Sequence, residues 1–267
     1  SSSSSFNIGV EADEANDSYY KEENGNNDEV TTSTPKNQSL LPTISMAQLG
    51  EIQEKSITFI SNKFNIHPEI SEIFLQIHHF DQDAISKEIT VNISKCRETI
   101  GLKDHDLKLP IHFKRHKNTS SNESCQICYN DEESGAVLYS LPCKHFFCKT
   151  CITEHINYQV SKCQYEIRCA YSDCQCRIVQ RDVQKFCGAE IAKYFNTTIE
   201  SQIAMSDNLH HCAREGCPNI LTNASVGLGF ISTCQVCNCQ MCWKCGEKSH
   251  APLSCDLVSK WGEISKE

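Results

Sequence analysis

Between residues 43 and 103 the apolar positions recur at helical spacing. Leu49, Ile52, Ile57, Ile60 and Phe64 fall along one stripe, the pattern of an amphipathic helix. Pro68 suits the first position of a second helix. Ile70, Ile73, Phe74 and Ile77 then follow three and four apart, and Phe80 closes the stretch. Ile85, Ile89 and Ile93 predict a third helix. Three short helices around a shared apolar core make a small bundle over residues 43–103.

The flanking segments read differently. Residues 1–42 are rich in Ser, Asn, Glu and Asp. Glu11, Asp13, Glu14, Asp17, Glu22, Glu23, Asp28 and Glu29 are opposed only by Lys21 and Lys36. Such a segment buries too little surface to offset its ordering entropy, so a disordered acidic tail is expected. Residues 104–124 are polar and charged and read as a linker. Farther on, Val183, Phe186, Ile191, Tyr194, Phe195, Ile199 and Ile203 predict helices broken at Gly188, a helical connector over residues 175–211. Residues 256–267 read as the start of another helix.

Composition changes the picture at the cysteines. A chain of 267 residues with 39% apolar content suggests two or three small domains rather than one large core. It holds 19 cysteines and 11 histidines. The N-terminus has neither the basic start nor the apolar stretch of a signal peptide, and no apolar run approaches membrane-spanning length. The expected compartment is therefore the cytoplasm, and the nucleus is compatible. Thiols stay reduced there, so paired cysteines with histidines read as zinc ligands rather than as a disulfide framework. A net charge of −9 argues against a nucleic-acid partner. The one short basic run, Lys114 to Lys117, is read as a localisation signal or a solvated linker.

The zinc pattern comes in two blocks. The first holds Cys125-x2-Cys128, Cys143-x-His145, Cys148-x2-Cys151 and Cys169-x4-Cys174, eight ligands and hence two ions. The second holds Cys212-x4-Cys217, Cys234-x2-Cys237, Cys242-x2-Cys245, His250 and Cys255, again eight. Cys239 competes with Cys237 for one position. The x4 step to Cys242 favours Cys237. Cys96, Cys163, Cys176, Cys187 and Cys239 are left over. Zinc supplies much of the folding energy of modules this small.

The first block resembles a RING finger and the second an in-between-RING (IBR) module. Cys125-Gln-Ile-Cys128-Tyr129, the wide Cys169-x4-Cys174 pair and Cys242-Trp-Lys-Cys245-Gly-Glu247 with His250 resemble RING-between-RING ubiquitin ligases of the Ariadne type. Leu257 and Trp261 resemble the start of the helix after that module. The resemblance implies small zinc-stabilised α+β modules joined by helices, an N-terminal three-helix ubiquitin-associated-like bundle, and four Zn2+ ions.

For the RING it implies a cross-brace, with Cys125, Cys128, Cys148 and Cys151 on one ion and Cys143, His145, Cys169 and Cys174 on the other. For the IBR it implies sequential binding, with Cys212, Cys217, Cys234 and Cys237 on one ion and Cys242, Cys245, His250 and Cys255 on the other. The implied partners are a ubiquitin-conjugating enzyme, met by Ile127, Tyr129, Ile152 and His155; ubiquitin; and, through the bundle, a neddylated cullin–RING ligase. Gln82-Asp83 stands where the family has a Trp-Asp pair.

Gln175 follows Cys174 where ordinary RINGs often place a cation that locks the charged conjugate in a lysine-reactive pose. The family instead passes ubiquitin to a cysteine of its own in a second RING. None of the leftover cysteines lies in that cysteine's sequence context, so no catalytic residue is assigned. The chain is expected to stop before that module. The competing reading is an adaptor that binds conjugating enzyme and cullin without transferring ubiquitin.

Overall fold

The computed structural model describes residues 41–116, 123–131 and 136–264. The expected acidic tail, apart from Leu41 and Pro42, lies outside the described residues, as do residues 117–122 of the expected linker.

The chain opens with strand β1 (Thr43–Ile44) and helix α1 (Met46–Phe64). Ser45 caps α1 in a capping box. Its hydroxyl accepts the Gln48 backbone N–H at 3.2 Å and its own N–H donates to Gln48 Oε1 at 2.8 Å. Asn65 ends the helix in the left-handed conformation at φ 52°. Helix α2 (Pro68–Ile77) starts at Pro68, with the His67 ring accepting the Glu69 N–H.

Helix α3 (Gln82–Thr99) departs from the sequence pattern. Ile85 and Ile89 are buried, but Ile93 is not. Asn92 has φ −157° and ψ 81°, and its side chain accepts the Lys95 N–H at 3.0 Å. It thus caps a second helical segment whose buried face is Cys96 and Ile100. The kink rotates the stripe, so the three-isoleucine period fails at its last member.

The expected linker is another departure. Leu102, Leu107, Ile111 and Phe113 are buried, and Lys114–Arg115 form strand β2. β2 pairs antiparallel with β3 (Leu138–Ser140), which pairs with β4 (Phe146–Cys148), giving the sheet of the first zinc module. Two residues of the basic run are therefore an edge strand. The surrounding charge obscures the alternation of Leu107, Ile111 and Phe113 with polar neighbours. The burial of these three residues makes the bundle and the first zinc module share a single core, which includes Ile70, Phe74, Phe147, Ile156 and Val183.

Helix α4 (Lys149–Ser161) follows β4 directly and lays Ile152, Ile156 and Val160 on that core at helical spacing. Helices α5 (Gln180–Phe186) and α6 (Ile191–Met205) are separated by a 3-10 turn at Gly188–Glu190. Strands β5 (Leu209–His211) and β6 (Ile220–Thr222) pair antiparallel, and β1 completes their sheet on the other edge of β6. A hairpin of β7 (Ile231–Thr233) and β8 (Gln240–Cys242) follows, then helix α7 (Cys255–Ile264). No helix among the described residues is long and apolar enough to cross a membrane.

Candidate metal centres and the surface beside them

The sixteen residues expected as ligands form four groups in space. They are Cys125, Cys128, Cys148 and Cys151; Cys143, His145, Cys169 and Cys174; Cys212, Cys217, Cys234 and Cys237; and Cys242, Cys245, His250 and Cys255. Within each group the ligand atoms all lie within 4.8 Å of one another. The first two groups interleave along the chain and the last two follow in sequence.

Local backbone geometry explains why these side chains converge. In the first knuckle the Cys125 N–H donates to the Asn130 carbonyl and the Tyr129 N–H to the Cys125 carbonyl, both at 2.8 Å. This tight turn, with Tyr129 at φ 61°, aims both sulfurs inward. Cys148 ends β4 and caps α4, so Cys151 lies in the first helical turn beside it. The third group repeats the device. Cys234 donates to the Cys239 carbonyl and Asn238 to the Cys234 carbonyl, both at 2.9 Å, with Asn238 at φ 59°. The knuckle therefore needs the backbone of Cys239, not its sulfur. The Cys239 thiol sits 3.7 Å from the Gln240 carbonyl, outside the group that contains Cys237.

The donor set fits zinc. Four thiolates, or three with one imidazole, are the ligand shells of structural zinc sites, and sulfurs about 2.3 Å from a shared tetrahedral centre stand about 3.8 Å apart. Cys128 and Cys148 Sγ are 3.8 Å apart, Cys143 and Cys169 3.8 Å, Cys212 and Cys237 3.4 Å, and Cys242 and Cys255 3.7 Å. The imidazole members approach as closely: His145 Nδ1 is 3.5 Å from Cys169 Sγ, and His250 Nε2 is 3.3 Å from Cys245 Sγ. His250 Nδ1 lies 2.9 Å from the Leu253 carbonyl, which fixes the ring with Nε2 toward the sulfurs. Zinc in these sites supplies folding energy and no reaction step.

The sulfurs of each group share protons unequally: Cys125, Cys143, Cys217 and Cys242 are held below the ordinary thiol range, while neighbouring sulfurs and burial hold Cys151, Cys169, Cys212 and Cys255 above it. Side-chain hydrogen bonding with Cys169 and Cys176 holds Cys143 well below the ordinary thiol range. The Asn219 side-chain amide, donating at 3.3 Å, draws Cys217 down to about 6. Cys176, counted as spare from the sequence, is fully buried and hydrogen-bonds with the Cys143 sulfur. Only its spacing two residues after Cys174 could have signalled this.

Of the four residues expected to meet a conjugating enzyme, three reach solvent and one does not. Ile127 and Tyr129 project from the first knuckle, 43% and 78% exposed. Ile152 is 2% exposed, and this corrects the expectation. Its place on the α4 stripe with Ile156 and Val160 turns it into the core. His155 is half-buried, with Nε2 donating to the Arg168 carbonyl at 2.9 Å.

Comparison with known proteins agrees with this geometry. Residues 125–170 match the family of C3HC4-type zinc fingers (RING finger), and residues 192–255 match the IBR domain, a half RING-finger domain. The RING match ends before Cys174, the ligand beyond the wide spacing. The chain carries a RING module followed by an IBR module, the arrangement of RING-between-RING ubiquitin ligases, and it is similar to ligases of the Ariadne type.

Two Arabidopsis thaliana relatives, the probable E3 ubiquitin-protein ligases ARI13 and ARI8, are each 26% identical over 82% of this chain, covering 43% and 37% of their own lengths. Human Cullin-9 is 21% identical over 82% of the chain and 8% of its own length. The chain thus spans less than half the length of these relatives.

Proposed function

We propose that this chain is the conjugating-enzyme-recruiting part of a RING-between-RING ubiquitin ligase of the Ariadne type, working in the cytoplasm or nucleus. One observation carries the reading. Ile127 and Tyr129 stand exposed on the knuckle of a cross-braced double cluster, where an apolar tip held by a rigid turn suits a partner protein.

In this reading the RING binds a ubiquitin-charged conjugating enzyme. A cysteine thiolate in a second RING, a module absent from residues 1–267, attacks the thioester carbonyl. The conjugating-enzyme thiolate leaves, and a substrate lysine amine later displaces the ligase cysteine. The residues of this chain bind and orient: the RING holds the enzyme, and α5, α6 and the IBR position ubiquitin. Gln175, whose side chain donates to the Asp173 carbonyl at 3.2 Å, offers no cation to lock the conjugate closed.

The three-helix bundle is assigned the ubiquitin-associated-like role of docking a neddylated cullin–RING ligase. Gln82 is already engaged with Ser56 at 2.7 Å, so that docking would run through other bundle residues.

A discharge assay tests the reading. A conjugating enzyme preloaded with ubiquitin is mixed with this chain and free lysine. Saturable binding with little stimulated discharge is expected. Strong discharge to lysine would identify an ordinary RING ligase instead, and absence of binding would remove the RING's assigned role. If the ligase reading is right, the chain joined to a second RING module forms a ubiquitin thioester; if no thioester forms, the adaptor reading stands.

A further inference from the structure

Among the described residues the apolar interior divides into three cores. One joins the bundle, the RING and the connector. Another lies within the IBR around Cys212, Leu221, Cys234 and Met241. The third sits between them and is built from Ile44, Leu49, Ile199, Ile203, Leu209 and Ile220. Two of its members precede or open the bundle, two lie on α6 and two belong to the IBR sheet.

The N-terminal side of this joint is a two-residue strand. Thr43 pairs with Leu221 and Ile44 with Ile220. The Thr222 N–H donates to the Pro42 carbonyl at 3.1 Å, and the buried Thr222 hydroxyl donates to the Leu41 carbonyl at 2.8 Å. The Gln235 N–H donates to Thr43 Oγ1 at 3.1 Å, which reaches the IBR knuckle. Below the strand, α1 lies against α6. Gly50 leaves no room for a β-carbon beside Phe195, and Gln53 Nε2 donates to Gln202 Oε1 at 2.7 Å in a buried pair. Strands β5 and β6 are joined covalently to α6 through residues 206–208.

We propose that residues 41–44 are a clip that sets the angle of the IBR module against the bundle, and that opening it frees the module to turn about the link after α6. None of the four residues belongs to a zinc cluster, and β5 and β6 pair directly with each other. The clip is therefore separable from the fold of the module it holds. It would make the IBR's placement depend on residues upstream of the bundle, far from the RING in sequence. The inference does not depend on the ligase reading.

Hydrogen exchange on the full zinc-loaded chain tests it. Antiparallel alternation turns the Ile220 and Thr222 amides toward β1 and the Leu221 amide toward β5. Thr222→Val deletes one clip hydrogen bond at constant volume, and Ile44→Pro removes a donor from the strand. The expected result is exchange at Ile220 and Thr222 at least tenfold faster in Ile44→Pro, with a smaller rise in Thr222→Val. Leu221 and β3 stay protected, zinc content is unchanged, and the radius of gyration in solution rises. Unchanged exchange at Ile220 and Thr222 in both variants, or loss of zinc together with protection across β5–β6, overturns the proposal.

Discussion

Asp182 on α5 accepts the Phe113 backbone N–H at 2.9 Å through one oxygen, while its other oxygen has no partner among the described residues. The side chain is wholly buried. Burial pushes its carboxyl up to about 7, against the Phe113 hydrogen bond and the nearby His112 ring, which pull it down. Glu72, which accepts the Gln180 N–H at 3.0 Å, is likewise pushed up by burial to about 7. Glu69 adds negative charge beside both.

A carboxyl raised in the folded state holds a proton that the unfolded chain has lost. Its favourable contribution is complete below the unfolded value near 4 and disappears as pH rises through about 7. Asp182 alone should lower stability by about 1.4 kcal/mol between pH 6 and 8. Zinc binding by thiols strengthens over the same range, so the readout is a difference. In denaturant titrations with zinc present, Asp182→Asn, which keeps the acceptor for Phe113, should lose less stability than the parent from pH 6 to 8. Parallel pH profiles would show that Asp182 is ionised throughout.

Gly50→Ala sets two effects against each other. The helix gains about 1 kcal/mol of propensity. The new β-carbon collides with the Phe195 ring, and overpacking of this kind costs about 1–3 kcal/mol. A net loss of stability with unchanged zinc content is expected from equilibrium unfolding. A gain would mean that α1 and α6 separate easily.

Ile127 and Ile152 should fail in different ways. Ile127→Ala removes an exposed side chain and should leave stability within about 0.5 kcal/mol. It should weaken binding to a conjugating enzyme tenfold or more by titration calorimetry. Ile152→Ala opens a cavity in the shared core and should cost about 2–5 kcal/mol, with binding by the folded fraction retained. The reverse assignment would return Ile152 to the docking surface.

The zinc clusters were the most legible part of the chain. Each ligand pair is local in sequence, and a C-x2-C turn needs only a few residues to aim two sulfurs. Spacing could not reveal which pairs share an ion, because the cross-brace is a long-range fact; resemblance to the RING family carried that step. The helices of the bundle could be read from period alone until Asn92, where one side-chain cap restarted the helix and rotated its stripe. Strand β2 and the burial of Leu107, Ile111 and Phe113 were hidden because a two-residue strand has no period and its neighbours are charged. Ile152 falls into the core because it shares the α4 stripe with Ile156 and Val160, a period that the resemblance to the family's contact positions does not carry.

Elemental zinc analysis on the parent chain and on two cysteine variants bears most directly on the whole account. The parent and Cys239→Ser should each carry four ions per folded molecule, and Cys237→Ser should carry three. Far fewer than four ions in the parent, or an ion lost from Cys239→Ser and kept in Cys237→Ser, would contradict the cluster assignment on which the RING and IBR reading rests.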